Sequence, residues 1–248
     1  VTSLPSFLRK HKLNYIYVPF SVKNCKNSIL GIKALNFRGA TVSMPYKQKV
    51  IKFLDRIDPV AKKIGAVNTI VNDNGILMGY NSDWVGSIDA LKEKITLQGK
   101  IVVLIGSGGA ARAIAYGLKE NKCEVIVFNR TYNKAEKLAK EFGLKLGGNL
   151  NDMGKIKDYD ILINTTSVGF GQNSDLLIIP ESILKKEKIV MDVVFDPIET
   201  SLIKIAKKKG CITIGGHKML VYQSMFQLEL FTGKKASFKV MEKALLKY

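Results

Sequence analysis

The chain has 248 residues, 46% hydrophobic and 24% charged, the make-up of an ordinary folded protein with room for one large or two modest domains. Lysine and arginine exceed aspartate and glutamate by 39 to 21, a net charge of +18, but only Arg9, Arg38, Arg56, Arg112 and Arg130 are arginines and the lysines are dispersed apart from Lys207-Lys208-Lys209. Without an RNA-binding signature or zinc-finger spacing this pattern sets nucleic acid aside as a partner, and with no apolar run near 18 residues it sets a membrane aside too, leaving the charge to attract anionic small molecules.

Residues Val1 to Lys10 lack the charged-then-apolar order of a signal peptide. Asn14 to Val22 is aromatic and β-branched and predicts a strand, with Pro19 towards its end. Ser28 to Phe37 has the spacing of a short amphipathic helix, and Gly39 to Met44 of a second strand stopped by Pro45. Tyr46 to Leu54 predicts a helix, Gly65 to Val71 and Ile76 to Tyr80 two strands, and Asn72-Asp73-Asn74-Gly75 the hairpin turn between them. Trp84 to Lys94 predicts a helix that bridges this α/β unit to the rest of the chain.

The most informative stretch is Lys100 to Thr131. Ile101 to Ile105 is an unbroken apolar, mostly β-branched run, as in a parallel strand buried on both faces. Gly106-Ser107-Gly108-Gly109-Ala110-Ala111 comes directly after it and opens a helix to Glu120. In a dinucleotide fingerprint Gly106 allows the tight turn, Gly108 lets the backbone approach a pyrophosphate, and Ala111 keeps helix and strand close. The helix N-terminus then offers unpaired N–H groups and a positive dipole end to phosphate. A second strand, Glu124 to Phe128, ends at Asn129-Arg130-Thr131 with no carboxylate for a ribose 2′-hydroxyl. Arg130 can instead pair with a 2′-phosphate and stack on adenine, and Lys134 lies one helical turn on, so the residues select NADP.

Beyond it, Thr131 to Phe142 predicts a helix, Asp160 to Asn164 a third parallel strand, and Ile189 to Val193 and Cys211 to Ile214 two more, flanking helix Ser201 to Lys209. Helices are predicted for Gly216 to Phe231 and Ala236 to Leu246. Alternating strands and helices give a doubly wound sheet, and two lobes with a cleft between them are the simplest architecture. Cys25, Cys123 and Cys211 are odd in number and widely spaced, and Cys123 and Cys211 open predicted strands, so those two are expected to be small buried thiols in a reducing cytoplasm. His11 and His217 form no recognised metal-ligand spacing with them, and no metal is expected.

In the first lobe three polar positions sit at predicted strand ends. Lys47 comes after Thr41-Val42-Ser43-Met44-Pro45, Asn68-Thr69 interrupts an apolar strand, and Asp83 closes Gly79-Tyr80-Asn81-Ser82-Asp83. Singly, each is equally a surface lysine, a sheet-edge hydrogen bonder and a helix N-cap.

Taken with the nucleotide lobe, these residues resemble shikimate dehydrogenase over nearly the whole chain. Thr41 to Lys47 resembles the family's Asn-Val-Thr-x-Pro-x-Lys, Gly65 to Thr69 its Gly-Ala-x-Asn-Thr, and Gly79 to Asp83 its Gly-x-Asn-Thr-Asp. Gly106 to Ala110, Asn129-Arg130-Thr131, Asn164 to Gly169, Gly216 to Gln223 and Phe231-Thr232-Gly233 resemble its remaining motifs, in order. The resemblance implies an α/β fold of two lobes: a substrate domain of residues 1–84 plus 217–248 and a Rossmann-type NADP domain of residues 85–216. It implies reduction of 3-dehydroshikimate to shikimate, with Lys47 and Asp83 as the proton-handling pair. Ser43, Asn68 and Gln223 would bind the ring hydroxyls. Thr166, Ser167, Val193 and Gly216 would join the fingerprint residues around the cofactor. A homodimer is an assembly it allows.

Four departures go with the resemblance. Family members begin with a strand and a Ser-x-Ser-Pro loop that grips the substrate carboxylate, whereas Thr2-Ser3-Leu4-Pro5 is an off-register echo, so the expectation is either a truncated chain or a lost strand and clamp. Phe195 stands where the family has Tyr, Thr41 where it has Asn, and Ser43 where it has Thr. An NADP-binding relative with lost or altered specificity, acting on quinate or an amino-shikimate, is the alternative.

Overall fold

The computed structural model describes residues 13–246, which fall into two compact units divided at Gly86/Ser87 and again at Leu220/Val221. Thr2-Ser3-Leu4-Pro5, Arg9 and His11, and with them the expected loss of the first strand and serine loop, lie outside the described residues.

The first unit holds α1 (Cys25–Ala34), β1 (Gly39–Thr41), a 3-10 turn (Lys49–Phe53), β2 (Arg56–Ile57), α2 (Pro59–Ile64), β3 (Thr69–Asp73), β4 (Ile76–Tyr80) and the start of α3 (Asp83–Lys92). Its sheet runs in the order β1-β3-β4-β2. The hairpin β3–β4 pairs Thr69 with Tyr80 and Asp73 with Ile76. Asn74 and Gly75 both take positive φ, 50° and 86°, the turn whose twist matches antiparallel strands. Asn24 caps α1 by accepting from Asn27 N–H, and Ile29 and Ile32 carry its buried stripe onto Val50, Val67, Ile70 and Leu77. Asp58 accepts from the N–H groups of Val60 and Ala61, Pro59 opens α2, and Gly65 closes it at φ 68°. The unit also takes in α7 (Gly216–Thr232) from Val221 onward and α8 (Phe238–Leu245).

Residues 14–22 are not a strand, contrary to their composition. Strand geometry needs a ladder, and this backbone finds no strand partner among the described residues. Tyrosines tie the segment instead: Tyr15 OH donates to Phe231 O at 3.3 Å and Tyr46 OH to Val22 O at 2.9 Å. Ile16, Val18 and Phe20 stay exposed.

The second unit contains β5 (Ile101–Ile105), α4 (Gly109–Glu120), β6 (Glu124–Phe128), α5 (Tyr132–Phe142), β7 (Lys145–Gly148), β8 (Ile161–Asn164), β9 (Ile189–Asp192), α6 (Ser201–Lys208) and β10 (Ile212–Ile214). All five strand pairings are parallel, in the order β10-β9-β8-β5-β6-β7. Three strands run outward one way from β5 and two the other, the Rossmann order with its switch point between β5 and β8. The central strands are almost wholly buried, which explains their unbroken apolar runs. Cys123 is buried, but Cys211 is only half-buried, because it lies just ahead of edge strand β10 rather than inside it. No helix of the described residues is long and apolar enough to cross a membrane.

Candidate active site

In the first unit the backbone brings Lys47 to the sheet. Its carbonyl accepts from Val67 N–H at 2.7 Å, next to Asn68, whose own N–H donates to Tyr80 O. At the far end of β4, Asn81 Oδ1 accepts from the N–H groups of Asp83 (3.0 Å) and Trp84 (3.4 Å). Asn81 therefore caps α3, and the Asp83 carboxylate is released from that duty. Asp83 instead accepts from Lys47 Nζ at 2.7 Å on Oδ2 and from Asn68 Nδ2 at 2.8 Å on Oδ1. The Asp83 side chain is 3% exposed and that of Lys47 17%. A carboxylate this deep is stable as a charge only when ammonium and amide donors compensate its lost hydration, as both do here.

Asn68 is the hub. Its Oδ1 accepts from Ser82 N–H at 2.7 Å, Thr69 OH at 2.9 Å and Ser82 OH at 3.1 Å. Gln227, on α7, donates through Nε2 to Ser82 Oγ at 2.9 Å and to Thr69 Oγ1 at 3.2 Å. Sequence reasoning does not single out Asn81, Ser82 or Gln227; Asn81 and Ser82 lie inside the Gly79–Asp83 motif, while Gln227 carries no local signal. Of the other candidates, Gln223 keeps Oε1 buried with no hydrogen-bond partner among the described residues, and Ser43 is exposed just past β1.

In the second unit the glycine turn leaves β5 beside β8. Gly106 takes φ +114°, and a Cβ there would lie 2.3 Å from Thr165 Oγ1, so only glycine fits. The Thr165 hydroxyl donates to Ile105 O, tying β8's exit to that of β5. A Cβ on Gly108 would meet nothing within 4 Å, and Gly108 caps α4 with no side chain. An open approach to an uncapped helix N-terminus fits a pyrophosphate. Ser107, Gly109 and Ala110 surround that turn. Asn129 Nδ2 donates to Thr131 O, while Arg130, Thr131 and Lys134 are exposed with no carboxylate among residues 129–134. Asn164 Oδ1 accepts from Thr166 N–H and OH, which shapes the β8 exit, and Ser167 is exposed beyond it. Gly216 packs on the backbone of Val193 and Val194, where a Cβ would lie 2.6 and 2.4 Å from their carbonyl oxygens. The residues present thus fit a phosphate-bearing dinucleotide.

Asp192, at the end of β9, is buried among Asn164, Val194 N–H and Thr200, and burial pushes its carboxyl up to about 6. The Cys123 thiol is pushed up to about 11, again by burial, and donates to Leu97 O, which makes it a packing group rather than a nucleophile. Among the described residues no cluster of histidine, cysteine and carboxylate side chains could hold a metal ion.

Strand order, glycine turn and open helix end make this a two-unit protein of the Rossmann nucleotide-binding class. Three family models match successive parts of it: the shikimate dehydrogenase substrate binding domain (residues 4–70), shikimate / quinate 5-dehydrogenase (89–189) and the shikimate 5′-dehydrogenase C-terminal domain (216–246). The chain belongs to the shikimate dehydrogenase family. It is 42% identical over 243 residues to the shikimate dehydrogenase (NADP(+)) of Pyrococcus furiosus, covering 97% of this chain and 88% of that protein. A crystal structure of a shikimate dehydrogenase in complex with NADP+ matches with a TM-score of 0.93 and 39% identity, over 99% of this chain and 89% of that one. The Thermus thermophilus enzyme, in complex with NADP(H) and shikimate, matches with a TM-score of 0.90 and 32% identity, over 99% and 93%.

Proposed function

We propose that this protein catalyses the NADP-dependent reduction of 3-dehydroshikimate to shikimate, a step of aromatic amino acid biosynthesis, with residues 1–84 and 217–248 binding the substrate and residues 85–216 the cofactor. The observation that carries the reading is the 2.7 Å bond between Lys47 Nζ and Asp83 Oδ2, with Asn68 on the other carboxylate oxygen. NADPH, when bound, supplies the hydride.

The chain's own residues handle the rest. Reduction of a ketone leaves negative charge on its oxygen, which an ammonium stabilises and protonates. Lys47 Nζ gives that proton in reduction and takes it back from the hydroxyl in oxidation, while Asp83 orients the ammonium and compensates its charge. The unpaired Oε1 of Gln223 would accept from a ring hydroxyl, with Asn68 and Ser43 as the further proposed substrate contacts. Gly106 to Ala110, Asn129, Thr131, Thr166, Ser167, Val193 and Gly216 would hold the dinucleotide, with Arg130 and Lys134 on its 2′-phosphate.

The test is the absorbance of NADPH formed from NADP+ and shikimate by the purified protein. Turnover supports the reading, and its absence at millimolar shikimate ends it. Quinate is the second substrate to try, because the family model over residues 89–189 names it and Phe195 lacks the family's hydroxyl. Three free cysteines suit the reducing cytoplasm in which we place the enzyme, and size-exclusion chromatography distinguishes a monomer from the homodimer the sequence allows.

A further inference from the structure

Gln227 is 4% exposed, and its amide reaches no substrate candidate directly. Its importance comes from the direction of the hydrogen bonds around it. The Ser82 backbone N–H can only donate, so the Asn68 atom it meets at 2.7 Å is the carbonyl oxygen Oδ1. The Thr69 and Ser82 hydroxyls also lie against Oδ1, at 2.9 and 3.1 Å, closer for Thr69 than its other acceptor, Ser82 Oγ at 3.3 Å, and point their protons at it. Their lone pairs then face Gln227, which has to present its NH2 group. Asn68 is left with its own NH2 group towards Ser82 Oγ and, at 2.8 Å, Asp83 Oδ1. The Ser82 N–H thus sets which face of Asn68 meets the carboxylate, and the buried amide at the end of the network reinforces that choice by occupying the lone pairs of both hydroxyls and keeping their protons on the Asn68 side.

We infer that Gln227 is a positioning residue: by donating to Ser82 and Thr69 it reinforces Asn68, oriented by the Ser82 N–H, as a donor to Asp83 and so steadies the carboxylate in the orientation that Lys47 uses. This rests on the proposal that Lys47 and Asp83 move the proton. Gln223 lies one helical turn away on the same face of α7, so a single helix serves both substrate and proton pair.

Gln227→Met keeps the shape and removes the donor. In a double-mutant cycle with Asp83→Asn, it should lower kcat about 10-fold when Asp83 is intact and change it less than twofold when Asp83→Asn is already present, with the KM of shikimate and NADP+ within twofold throughout. Equal losses in both backgrounds, or a loss in KM alone, would overturn the inference. Gln227→Glu, which replaces the donor with an acceptor and invites the hydroxyl protons away from Asn68, should lose more kcat than Gln227→Met; a smaller loss counts against it.

A second readout does not depend on turnover. The Asn68 side-chain amide protons, followed by NMR, should exchange with solvent about tenfold faster in Gln227→Met, and unchanged exchange overturns the inference even if the wild-type protein reduces no dehydroshikimate. Should Gln227→Met fail to fold, Ser82→Ala breaks the same link at its other end and carries both measurements with the same expected outcomes.

Discussion

Asn164 and Asp192 face each other in the ladder between β8 and β9, and Asn164 Nδ2 donates to Asp192 Oδ1 at 3.0 Å. The pair fastens two strand ends beside the glycine turn. Thr200 OH donates to the other carboxylate oxygen and so anchors the start of α6 at the same point.

This pair predicts a pH signature. Desolvation raises the Asp192 carboxyl to about 6, outweighing the hydrogen bonds that favour its ionised form. Below the unfolded value both states are protonated and the group costs nothing. As pH rises from about 4 to about 6 the unfolded chain loses its proton first, so this group's contribution to stability falls, then levels off roughly 3 kcal/mol lower. The Tm of Asp192→Asn relative to wild type should therefore climb between pH 4 and 6.5 and flatten above; a difference constant across pH 4–7.5 refutes it.

Lys47→Ala should lower turnover by roughly 10²–10⁴ while leaving the Kd for NADP unchanged, since it removes the proposed proton donor and lies outside the nucleotide fingerprint. Near-normal turnover in that variant removes the lysine from the chemistry.

Arg130→Ala should weaken NADP roughly 10–100-fold and NAD hardly at all, the scale of one charge-assisted hydrogen bond to a phosphate. Titration of both dinucleotides measures the ratio. Equal weakening of the two would place Arg130 on the shared part of the cofactor.

Gly216→Ala should destabilise the fold by about 1–3 kcal/mol, because the new methyl would collide with the carbonyls of Val193 and Val194, backbone that moves only with β9's exit. Chemical denaturation gives the number, and an unchanged midpoint would show that the exit yields freely.

The nucleotide unit was legible because a parallel sheet buried on both faces writes itself as apolar runs, and β5, β6, β8 and β9 are such runs. Edge strand β7 was not: Lys145-Leu146-Gly147-Gly148 has no strand composition, because the Phe128 ring lies where a Gly147 Cβ would be and Gly148 takes φ +117° against Asp152. Helix α2 carries Asp58, Pro59 and Gly65 as start and stop signals but is too short to show a period. Residues 14–22 misled in the opposite sense, with strand composition and no ladder partner among the described residues. In the site, Lys47, Asn68 and Asp83 stood out only through the resemblance of their motifs to the family's, since spacing alone left each an ordinary structural reading. Gln227 did not, because it meets Ser82 and Thr69 from 145 and 158 residues away, and no local pattern encodes that.

The Asp83 carboxylate is buried against the Asn68 amide, while the ammonium bonded to it keeps some contact with water. The pair therefore has one doorway. In the proposed mechanism the catalytic proton is therefore replenished through Lys47 rather than the acid behind it, and deuterium from the bulk would enter there.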